Sequence, residues 1–288
     1  MDRGKLVVER VQGKSTLTRC FSKYPFKFIN PNKVGGDAVW VYTITYGGGI
    51  VSGDSIDYDI EVGDDCMAVL TTQSSTKVYK SIGSKCSKQS LEAIVGSSAL
   101  LALIPDPVTC FSTARYSQMQ VFKLMPQSSL LVVDWITSGR YETGEKWAFS
   151  HYKSTNCILL QGNEPLFLDT VLLEKGSCGL DQLQHFHAIA MIIILGPVYQ
   201  FCIGFRPKLK LIQDQIQKDV KKLMSRPLFS KGSSKETKPS FLASCSTFGL
   251  KGQGVVVRVA STTTESIYNF LQQQLAGMEI LLGAPPYQ

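Results

Sequence analysis

The chain has 288 residues and a hydrophobic content of 44%, which is enough to bury the core of one large domain or two ordinary ones and excludes a disordered chain. Its formal net charge of +7 is concentrated in residues 206–238, which contain ten Lys/Arg and three Asp/Glu. The rest of the chain contains 20 residues of each sign. Eight widely spaced cysteines without a Cys-x-x-Cys pair argue against a structural zinc site or a compact disulfide framework and favour reduced thiols.

Neither a secretion signal nor a membrane span is predicted. Residues 1–15 contain no apolar stretch of signal-peptide length, so we expect a cytoplasmic protein. The longest apolar run, 188–205, is interrupted by Gly196 and Pro197. Its first half, AIAMIIIL, is rich in isoleucine and predicts a strand buried on both faces, so no membrane partner is expected.

Short strands dominate the first two thirds of the chain. Glycine, proline and serine divide them at intervals of roughly ten residues, and no helical segments alternate with them. This pattern predicts a mainly β fold of wound or layered strands rather than a βαβ arrangement. The clearest predicted strands are 39–46, 55–62, 66–73, 129–135, 156–162 and 165–173.

Residues 46–54, YGGGIVSGD, form a glycine-rich loop that ends on an acid. Serine stands where a dinucleotide fingerprint needs its third glycine, and an acid stands where the P-loop spacing needs lysine. The next residues, 55–62, alternate polar and apolar side chains and predict a strand, so neither nucleotide motif has its helix N-terminus. A nucleotide-binding enzyme that uses the 47–54 loop is the alternative hypothesis for function.

Two helices are predicted late in the chain. In the first, apolar residues recur every three or four positions from Leu209 to Leu223, and lysines cover the other face. A solvent-exposed helix face explains these lysines better than a nucleic-acid surface does, because no aromatic residues lie among them. No nucleic-acid partner is therefore expected, whereas an acidic protein partner is an alternative that the sequence leaves open. A flexible basic linker is predicted at about 225–240, followed by a helix that begins at the capping box 262–265 and stops by Gly283.

Few side chains suit catalysis or tight metal binding. His185 and His187 would share one face of a strand, yet Asp181 is the one nearby residue that adds a ligand, so a hydrogen-bonded histidine pair is favoured over a metal site. No Gly-x-Ser-x-Gly motif is present to hold a serine nucleophile, which argues against a hydrolase. Arg140 and Glu145 bracket a turn and are expected to pair across it.

Two aspartates lie inside apolar strands. Asp134 follows LLVV and precedes a tryptophan, and Asp169 lies between PLFL and TVLL. Burying such a carboxylate without a partner costs several kcal/mol, so each carboxylate faces either solvent or a polar interior.

Ordered motifs along the chain resemble the D-type urease accessory proteins, which are called H in some bacteria. The resemblance is carried by GGGIVSGD at 47–54, LTTQSSTKVYKS at 70–81 and GRYETGE at 139–145, together with VGDDCMAV, LIPDPVTCF and NEPLFLD. The opening, ERVQGKSTL followed by KYPFKFINP, is most similar to plant members. The resemblance covers about residues 5–260.

The resemblance implies a maturation scaffold for urease rather than an enzyme. Members of this family bind apo-urease and the F-type accessory protein, and a G-type GTPase joins through the F-type protein and supplies nickel. The resemblance also implies a single domain over 1–288, with a β-helix-like stack of short strands and two late α-helices. No tightly bound cofactor is expected, and nickel is expected only in transit through a water-filled passage.

In this family, the acids that match Asp54, Asp134 and Asp169 and the hydroxyl that matches Thr76 are associated with that passage. Separated oxygen ligands suit a route that must release Ni²⁺, whereas storage of the ion would need imidazole and thiolate. Three side chains are predicted as interior or partner contacts, namely Lys77, Arg140 and Glu145.

The glycine loop gains a structural hypothesis from the resemblance. Its glycines would let the backbone turn sharply between two strands and hold Asp54 at an inner polar surface; the alternative is a hairpin with a glycine bulge and an exposed Asp54. These structural glycines are Gly47, Gly48, Gly49 and Gly53.

Three features depart from the family pattern. Asp169 stands where relatives often have glutamate, and Asp106 stands where an amide is expected. The ending LLGAPPYQ replaces the Pro-Arg-x-Trp type of tail.

Overall fold

Seventeen strands and four α-helices are present in the computed structural model, which describes residues 3–31, 35–196, 206–225, 238–249 and 252–287. Most of the predicted linker at 225–240 and the second half of the apolar run at 188–205 lie outside the described residues. The strands are β1 Gly4–Val11, β2 Lys14–Phe21, β3 Phe26–Ile29, β4 Val39–Thr45, β5 Ser55–Val62, β6 Met67–Thr72, β7 Thr76–Val78, β8 Ser87–Val95, β9 Leu100–Leu103, β10 Val108–Cys110, β11 Arg115–Leu124, β12 Ser129–Thr137, β13 His151–Leu160, β14 Pro165–Glu174, β15 Ala188–Leu195, β16 Phe241–Phe248 and β17 Gly254–Ser261. The helices are α1 Cys178–Gln182, α2 Arg206–Met224, α3 Thr264–Leu275 and α4 Glu279–Leu282.

The strands form two sheets that the chain builds in alternation. Sheet A has the order β14-β13-β11-β8-β5-β1-β2, and sheet B has the order β16-β17-β15-β12-β9-β6-β4-β3, with β10 and β7 joined beside β12. The runs β5-β8-β11-β13 and β4-β6-β9-β12 are parallel. Each coil of the chain therefore adds one strand to each sheet, which confirms the predicted mainly β, β-helix-like stack.

Sheet B lies between sheet A and the helices, and this position explains the sequence patterns of the strands. One core fills the space between the sheets, and a second fills the space between sheet B and α2, α3 and α4. The central strand β12 is covered on both faces and is buried along its whole length. The strand β5 alternates between buried and more exposed residues, because one face of sheet A meets solvent.

Both predicted late helices are present. The apolar face of α2 packs on sheet B through buried residues that include Leu209, Ile216 and Val220. Thr263 is the N-cap of α3, one residue later than the first residue of the predicted capping box, and its hydroxyl accepts a hydrogen bond from the Ser266 N–H at 3.2 Å. Among the described residues, no helix combines the length and apolar character needed to span a membrane.

Candidate functional site

A row of polar side chains crosses the inner face of sheet A, within a core that is otherwise apolar. Gln89 of β8, Gln118 of β11 and Ser154 of β13 are neighbours in the parallel ladder. The Tyr116 O–H donates to Gln89 Oε1 and to Gln118 Oε1, at 3.2 Å each. Gln118 Nε2 in turn donates to Ser154 Oγ at 2.7 Å. Buried polar groups are tolerated when they are hydrogen-bonded, and these side chains satisfy one another as a network.

Asp134 of β12 projects from sheet B into this network. Its Oδ1 accepts from Gln118 Nε2 at 2.9 Å. Its Oδ2 accepts from Ser154 Oγ at 2.5 Å and from Asn156 Nδ2 at 2.7 Å. Burial raises the pKa of the Asp134 carboxyl; the three hydrogen bonds oppose this rise, and the charge of Asp169 adds to it. Of the two orientations that the sequence left open, Asp134 takes the one toward a polar interior.

A second polar row lies two residues further along the same strands. Gln120 of β11, Asn156 of β13 and Asp169 of β14 are aligned as neighbours. Gln120 Oε1, Asn156 Oδ1 and Asp169 Oδ2 are buried and have no hydrogen-bond partner among the described residues. The other oxygen of Asp169, Oδ1, accepts from Arg258 Nη2 of β17 at 2.6 Å. This row therefore offers three oxygen atoms that can accept from water or ligate a cation.

Two cavities meet at Asp134 and Trp135, which line both. The first, of about 280 Å³, contains Gln118 and is called the polar cavity because many hydroxyl and amide side chains line it. The second, of about 440 Å³, contains Asp169 and is called the apolar cavity because aliphatic side chains form most of its wall. Asp134 is therefore a lining residue of both spaces.

Both cavities extend toward exposed residues. The polar cavity is lined by the exposed Gln73 and Ser74, next to Thr76 of β7, which is half-buried. The apolar cavity is lined by the exposed Leu242 and Arg258. Of the four predicted path residues, Thr76, Asp134 and Asp169 therefore line this pair of cavities.

Asp106 also lines the polar cavity and is held there by the end of the chain. Its Oδ1 accepts from the Tyr268 O–H of α3 at 2.7 Å. The Tyr287 O–H donates to the carbonyl of Pro105 at 3.0 Å, next to this acid. Asp106 is thus positioned by α3, next to a carbonyl that accepts a hydrogen bond from Tyr287 near the end of the chain.

The glycine loop turns sharply before β5. Gly47, Gly48 and Gly53 have φ angles of +72°, +76° and +86°, a region that favours glycine. Gly49 is extended, but a Cβ atom on it would lie 2.7 Å from the carbonyl oxygen of Lys77. Because the loop leads into a strand, it has no helix N-terminus at which a nucleotide phosphate would bind.

Asp54 closes this loop and lies apart from the other three predicted path residues. Its Oδ2 accepts from the Val51 N–H at 2.8 Å, and its carbonyl accepts from the Lys88 N–H at 2.8 Å. It is half-buried and is not among the residues that line either cavity. Lys77 is exposed and likewise lines neither cavity.

The ion pair predicted across the 139–145 turn is present. Arg140 Nη2 lies 2.5 Å from Glu145 Oε1, and Arg140 Nε donates to Glu145 Oε2 at 3.1 Å. The hydrogen bond from Arg140 lowers the pKa of the Glu145 carboxyl. The guanidinium also lies 4.2 Å from the ring centroid of Phe111, which fixes the turn against β10 and its following loop.

The two neighbouring histidines hydrogen-bond separately. They precede β15 rather than lying on one face of a strand, because His185 ends a short 3₁₀ turn. His185 Nε2 lies 2.9 Å from the Pro239 carbonyl, and His187 Nδ1 lies 3.3 Å from Ser138 Oγ. The favoured interpretation as a hydrogen-bonded pair is therefore confirmed, although the two rings take different partners. Within the described part of the chain, no group of three or more His, Cys, Asp or Glu residues could hold a metal ion.

Sequence reasoning missed the amide and hydroxyl side chains around Asp134. Tyr116, Gln118, Gln120 and Phe122 occupy alternate, inward positions of β11, and all four are buried. Two glutamines at inward positions of an amphipathic strand are a signal that a polar feature lies inside the core. The sequence prediction did not include β11, so this signal had no strand on which to be placed.

Comparisons with known proteins identify the family of the sequence. The sequence matches the profile of the UreD urease accessory protein family over residues 2–288. It is 57% identical over 303 aligned positions to urease accessory protein D of Arabidopsis thaliana, with 100% of both chains covered. It is 54% identical to the protein of that name from Oryza sativa subsp. indica, with 99% of this chain and 94% of that one covered. It is 35% identical to urease accessory protein UreD of Sorangium cellulosum, with 99% of this chain and 82% of that one covered.

The fold defines a β-solenoid-like protein in which the polar side chains around Asp134 lie between two cavities. The chain belongs to the UreD family of urease accessory proteins, which confirms the resemblance seen in its motifs. Its relatives are named as accessory proteins, so the chain is a urease accessory protein of the urease maturation machinery.

Proposed function

We propose that this protein is a maturation scaffold that conducts nickel into urease. It binds apo-urease and the F-type accessory protein, and it receives nickel from the G-type GTPase, which joins through the F-type protein. The scaffold performs no bond chemistry of its own and has no tightly bound cofactor, since nickel is its cargo. Six described cysteines are free thiols, which supports action in the reducing cytoplasm.

The observation that carries the proposal is the meeting of two cavities at one buried carboxylate. Asp134 and Trp135 line both cavities, and the polar cavity reaches Thr76 while the apolar cavity reaches Asp169. A cation that enters at Thr76 meets the Asp134 network next, and Asp169 after it. Thr76, Asp134 and Asp169 are therefore the proposed path residues.

The ligands along this route are suited to transfer rather than storage. Carboxylate, amide and hydroxyl oxygens hold Ni²⁺ more weakly than imidazole and thiolate do, and a conducting site must also release its ion. Gln120 Oε1, Asn156 Oδ1 and Asp169 Oδ2 form a row of such oxygens without protein partners in the described structure. The raised pKa of Asp134 also favours release, because a proton competes with the cation for this carboxylate.

Asp54 remains a proposed path residue on the family resemblance alone. Its carboxylate accepts from the Val51 N–H and supports the glycine loop, whose Gly48 lines the polar cavity. We propose that Asp54 acts at the approach to the cavity, outside its wall.

The test is nickel loading of apo-urease that is co-expressed with the other accessory proteins. Asp134→Asn keeps the side-chain volume but removes the negative charge, and it is expected to lower the nickel content of urease about tenfold or more. The partners should still co-purify with this variant. Asp214→Asn on the solvent face of α2 is the matched control and should load urease like the wild-type chain.

Asp169→Ala gives an independent readout, because this carboxylate is nearer the surface and its loss leaves the Asp134 network intact. We expect reduced nickel with unchanged partner binding. Normal nickel loading by both Asp134→Asn and Asp169→Ala would show that ions do not use this route. Loss of the F-type partner from both variants would assign the carboxylates to complex formation instead.

A further inference from the structure

Four large hydrophobic side chains are exposed around the glycine loop. Tyr24 and Ile82 are each 73% exposed, Tyr46 is 50% exposed and Val51 is 47% exposed. We call these four residues the apolar patch. Single exposed hydrophobic residues are ordinary on a protein surface, whereas a continuous group marks an interaction site.

Contacts join the segments that carry the apolar patch. The rings of Tyr24 and Tyr46 lie 5.8 Å apart, and the Tyr46 N–H donates to the Pro25 carbonyl at 2.9 Å. The Ile82 N–H donates to Ser52 Oγ at 2.8 Å, which places Ile82 beside the loop that carries Val51.

A tyrosine joins the two halves of the patch. The Tyr79 O–H donates to the Gly47 carbonyl at 3.1 Å, next to Tyr46. The Tyr79 N–H donates to the Ile50 carbonyl at 2.9 Å, next to Val51. The four residues of the apolar patch thus lie on three adjoining segments, residues 24–25, 46–52 and 79–82.

The segments that carry the apolar patch are rich in lysine. The segments 21–29, 45–54 and 77–88 contain six lysines and one acid, Asp54, whose carboxylate accepts from the Val51 N–H. All six lysines are exposed, and none forms a salt bridge within the described residues. They are Lys23, Lys27, Lys77, Lys80, Lys85 and Lys88. We call this set the lysine rim, and it forms a second basic region that the sequence analysis did not separate from the charge-balanced part of the chain.

The apolar patch lies beside the polar cavity. The same segments that carry it contribute Phe26, Thr45 and Gly48 to the cavity wall, and the rim residue Lys77 follows Thr76 directly. A partner that covers the patch therefore covers the approach to the cavity.

We propose that the apolar patch and the lysine rim form the docking surface for a protein partner that presents acidic residues around an apolar centre. An apolar centre with a charged rim is the usual composition of a protein interface. Tyr24 and Tyr46 are able to stack on bases, whereas Val51 and Ile82 are aliphatic and are not, so this half of the patch fits a protein better than a nucleic acid. The inference deepens the proposed function and rests on it for one point: a docked partner would pass the ion into the polar cavity without releasing it to solvent.

The test compares two charge reversals of equal size on the full chain. The first is Lys77→Glu, Lys80→Glu and Lys85→Glu in the lysine rim. The matched control is Lys218→Glu, Lys221→Glu and Lys222→Glu on the exposed face of α2. Purified F-type accessory protein and purified apo-urease are the probes, each titrated separately by calorimetry at low and at physiological ionic strength.

The rim variant is expected to bind one of the two probes at least about tenfold more weakly, with a smaller dependence on salt, while the α2 control binds both like the wild-type chain. Ile82→Asp should weaken the same complex, and its exposed position leaves folding intact. Equal loss of binding in the rim and α2 variants would reveal general electrostatics and overturn the inference. Unchanged binding of both probes by the rim variant and by Ile82→Asp would also overturn it.

A short DNA duplex is the third probe. Duplex binding that is lost in the rim variant, with both protein complexes intact, would make this a nucleic-acid surface and overturn the inference. Failure of docking is distinguishable from failure of the conduit, because Asp134→Asn tests nickel transfer within an intact complex and the rim variant tests the complex itself.

Discussion

The two cavities that share Asp134 differ in the way they can treat an ion. In the polar cavity, hydroxyl and amide groups such as those of Thr71, Gln118 and Gln120 can replace part of a hydration shell. In the apolar cavity, aliphatic side chains such as Ile189 and Val259 surround a single ion pair between Asp169 and Arg258. A bare ion in apolar surroundings is strongly disfavoured. On the proposed route, an ion would leave the polar cavity only with its charge offset, and the carboxylates of Asp134 and Asp169 would offset it.

The largest expected effect breaks the network on the polar side. Gln118→Leu removes three hydrogen bonds and leaves Asp134 Oδ1 without its donor. We expect a loss of about 3 kcal/mol in the free energy of unfolding, since an unsatisfied buried polar group costs about 1–3 kcal/mol and more when charged. Urea unfolding followed by fluorescence measures this loss of stability.

Gln120→Leu is the matched control on the same strand face, because Gln120 Oε1 has no partner among the described residues. Its stability should stay within about 1 kcal/mol of the wild-type chain. Nickel loading should nevertheless fall, because one oxygen of the proposed path is removed. Equal destabilisation by Gln118→Leu and Gln120→Leu would contradict the hydrogen-bond network described around Asp134.

A smaller effect is expected at the glycine loop, beside the polar cavity. Gly49→Ala places a Cβ atom 2.7 Å from the Lys77 carbonyl oxygen, which accepts a hydrogen bond from the Ile50 N–H. Such overpacking costs about 1–3 kcal/mol, and we expect the upper part of this range because the obstacle is backbone. Gly47→Ala meets no atom within 4 Å, and its positive φ alone should cost about 1 kcal/mol. Thermal melts should give a lower melting temperature for Gly49→Ala than for Gly47→Ala. The reverse order would show that backbone strain at Gly47 costs more than the close approach at Gly49.

A still smaller effect is expected on the apolar side. Arg258→Gln removes the ion pair with Asp169, in which the arginine side chain is 49% exposed. The Asp169 side chain is only 17% exposed, but glutamine can still donate to its Oδ1, so the loss should lie at the upper end of the range for exposed pairs, about 1 kcal/mol. In the same variant, the Asp169 carboxylate has lost its positive partner and should therefore hold nickel longer during transfer. Unchanged transfer kinetics would separate this ion pair from the ion path.

The last expected effect is a dependence of the free energy of unfolding on pH. The pKa of Asp134 is raised in the folded chain, so folding takes up protons at this group. Stability relative to Asp134→Asn should therefore fall as pH rises above about 3.9, the ordinary aspartate value, and level off once the folded pKa is passed. Chemical unfolding of both chains across the acid range measures the difference. A relative stability that rises with pH would mean that the three hydrogen bonds outweigh burial.

Local patterns predicted much of the fold. The alternation in 55–62 matches β5 Ser55–Val62 residue for residue, and the predicted strand at 39–46 is β4 Val39–Thr45. The strand predicted at 156–162 is wrong at its start, because β13 begins at His151. Its first half is polar in composition yet buried, since Ser154 and Asn156 face the Asp134 network rather than solvent.

The candidate site was predicted only in part. The resemblance pointed to Asp134 and Asp169, but the side chains that surround them come from strands far apart in the chain. Gln118 and Ser154 are 36 residues apart, and Gln118 and Asp134 are 16 residues apart and lie in opposite sheets. The periodicity of one strand does not show which residues of another coil will pack against that strand.

The sequence by itself determined much of the secondary structure, the β class and the family of this protein, because strand alternation, helix amphipathicity and ordered motifs are local properties of the chain. It also determined the Arg140–Glu145 turn, whose partners are five residues apart. Only the tertiary structure decided that Asp134 lines two cavities, that three oxygens without a partner among the described residues share one row, and that the lysine-rich segments of the apolar patch adjoin one another. The physical reason is that stacked coils bring distant segments into register, and the burial and charge of a group depend on those neighbours rather than on the residues beside it in sequence.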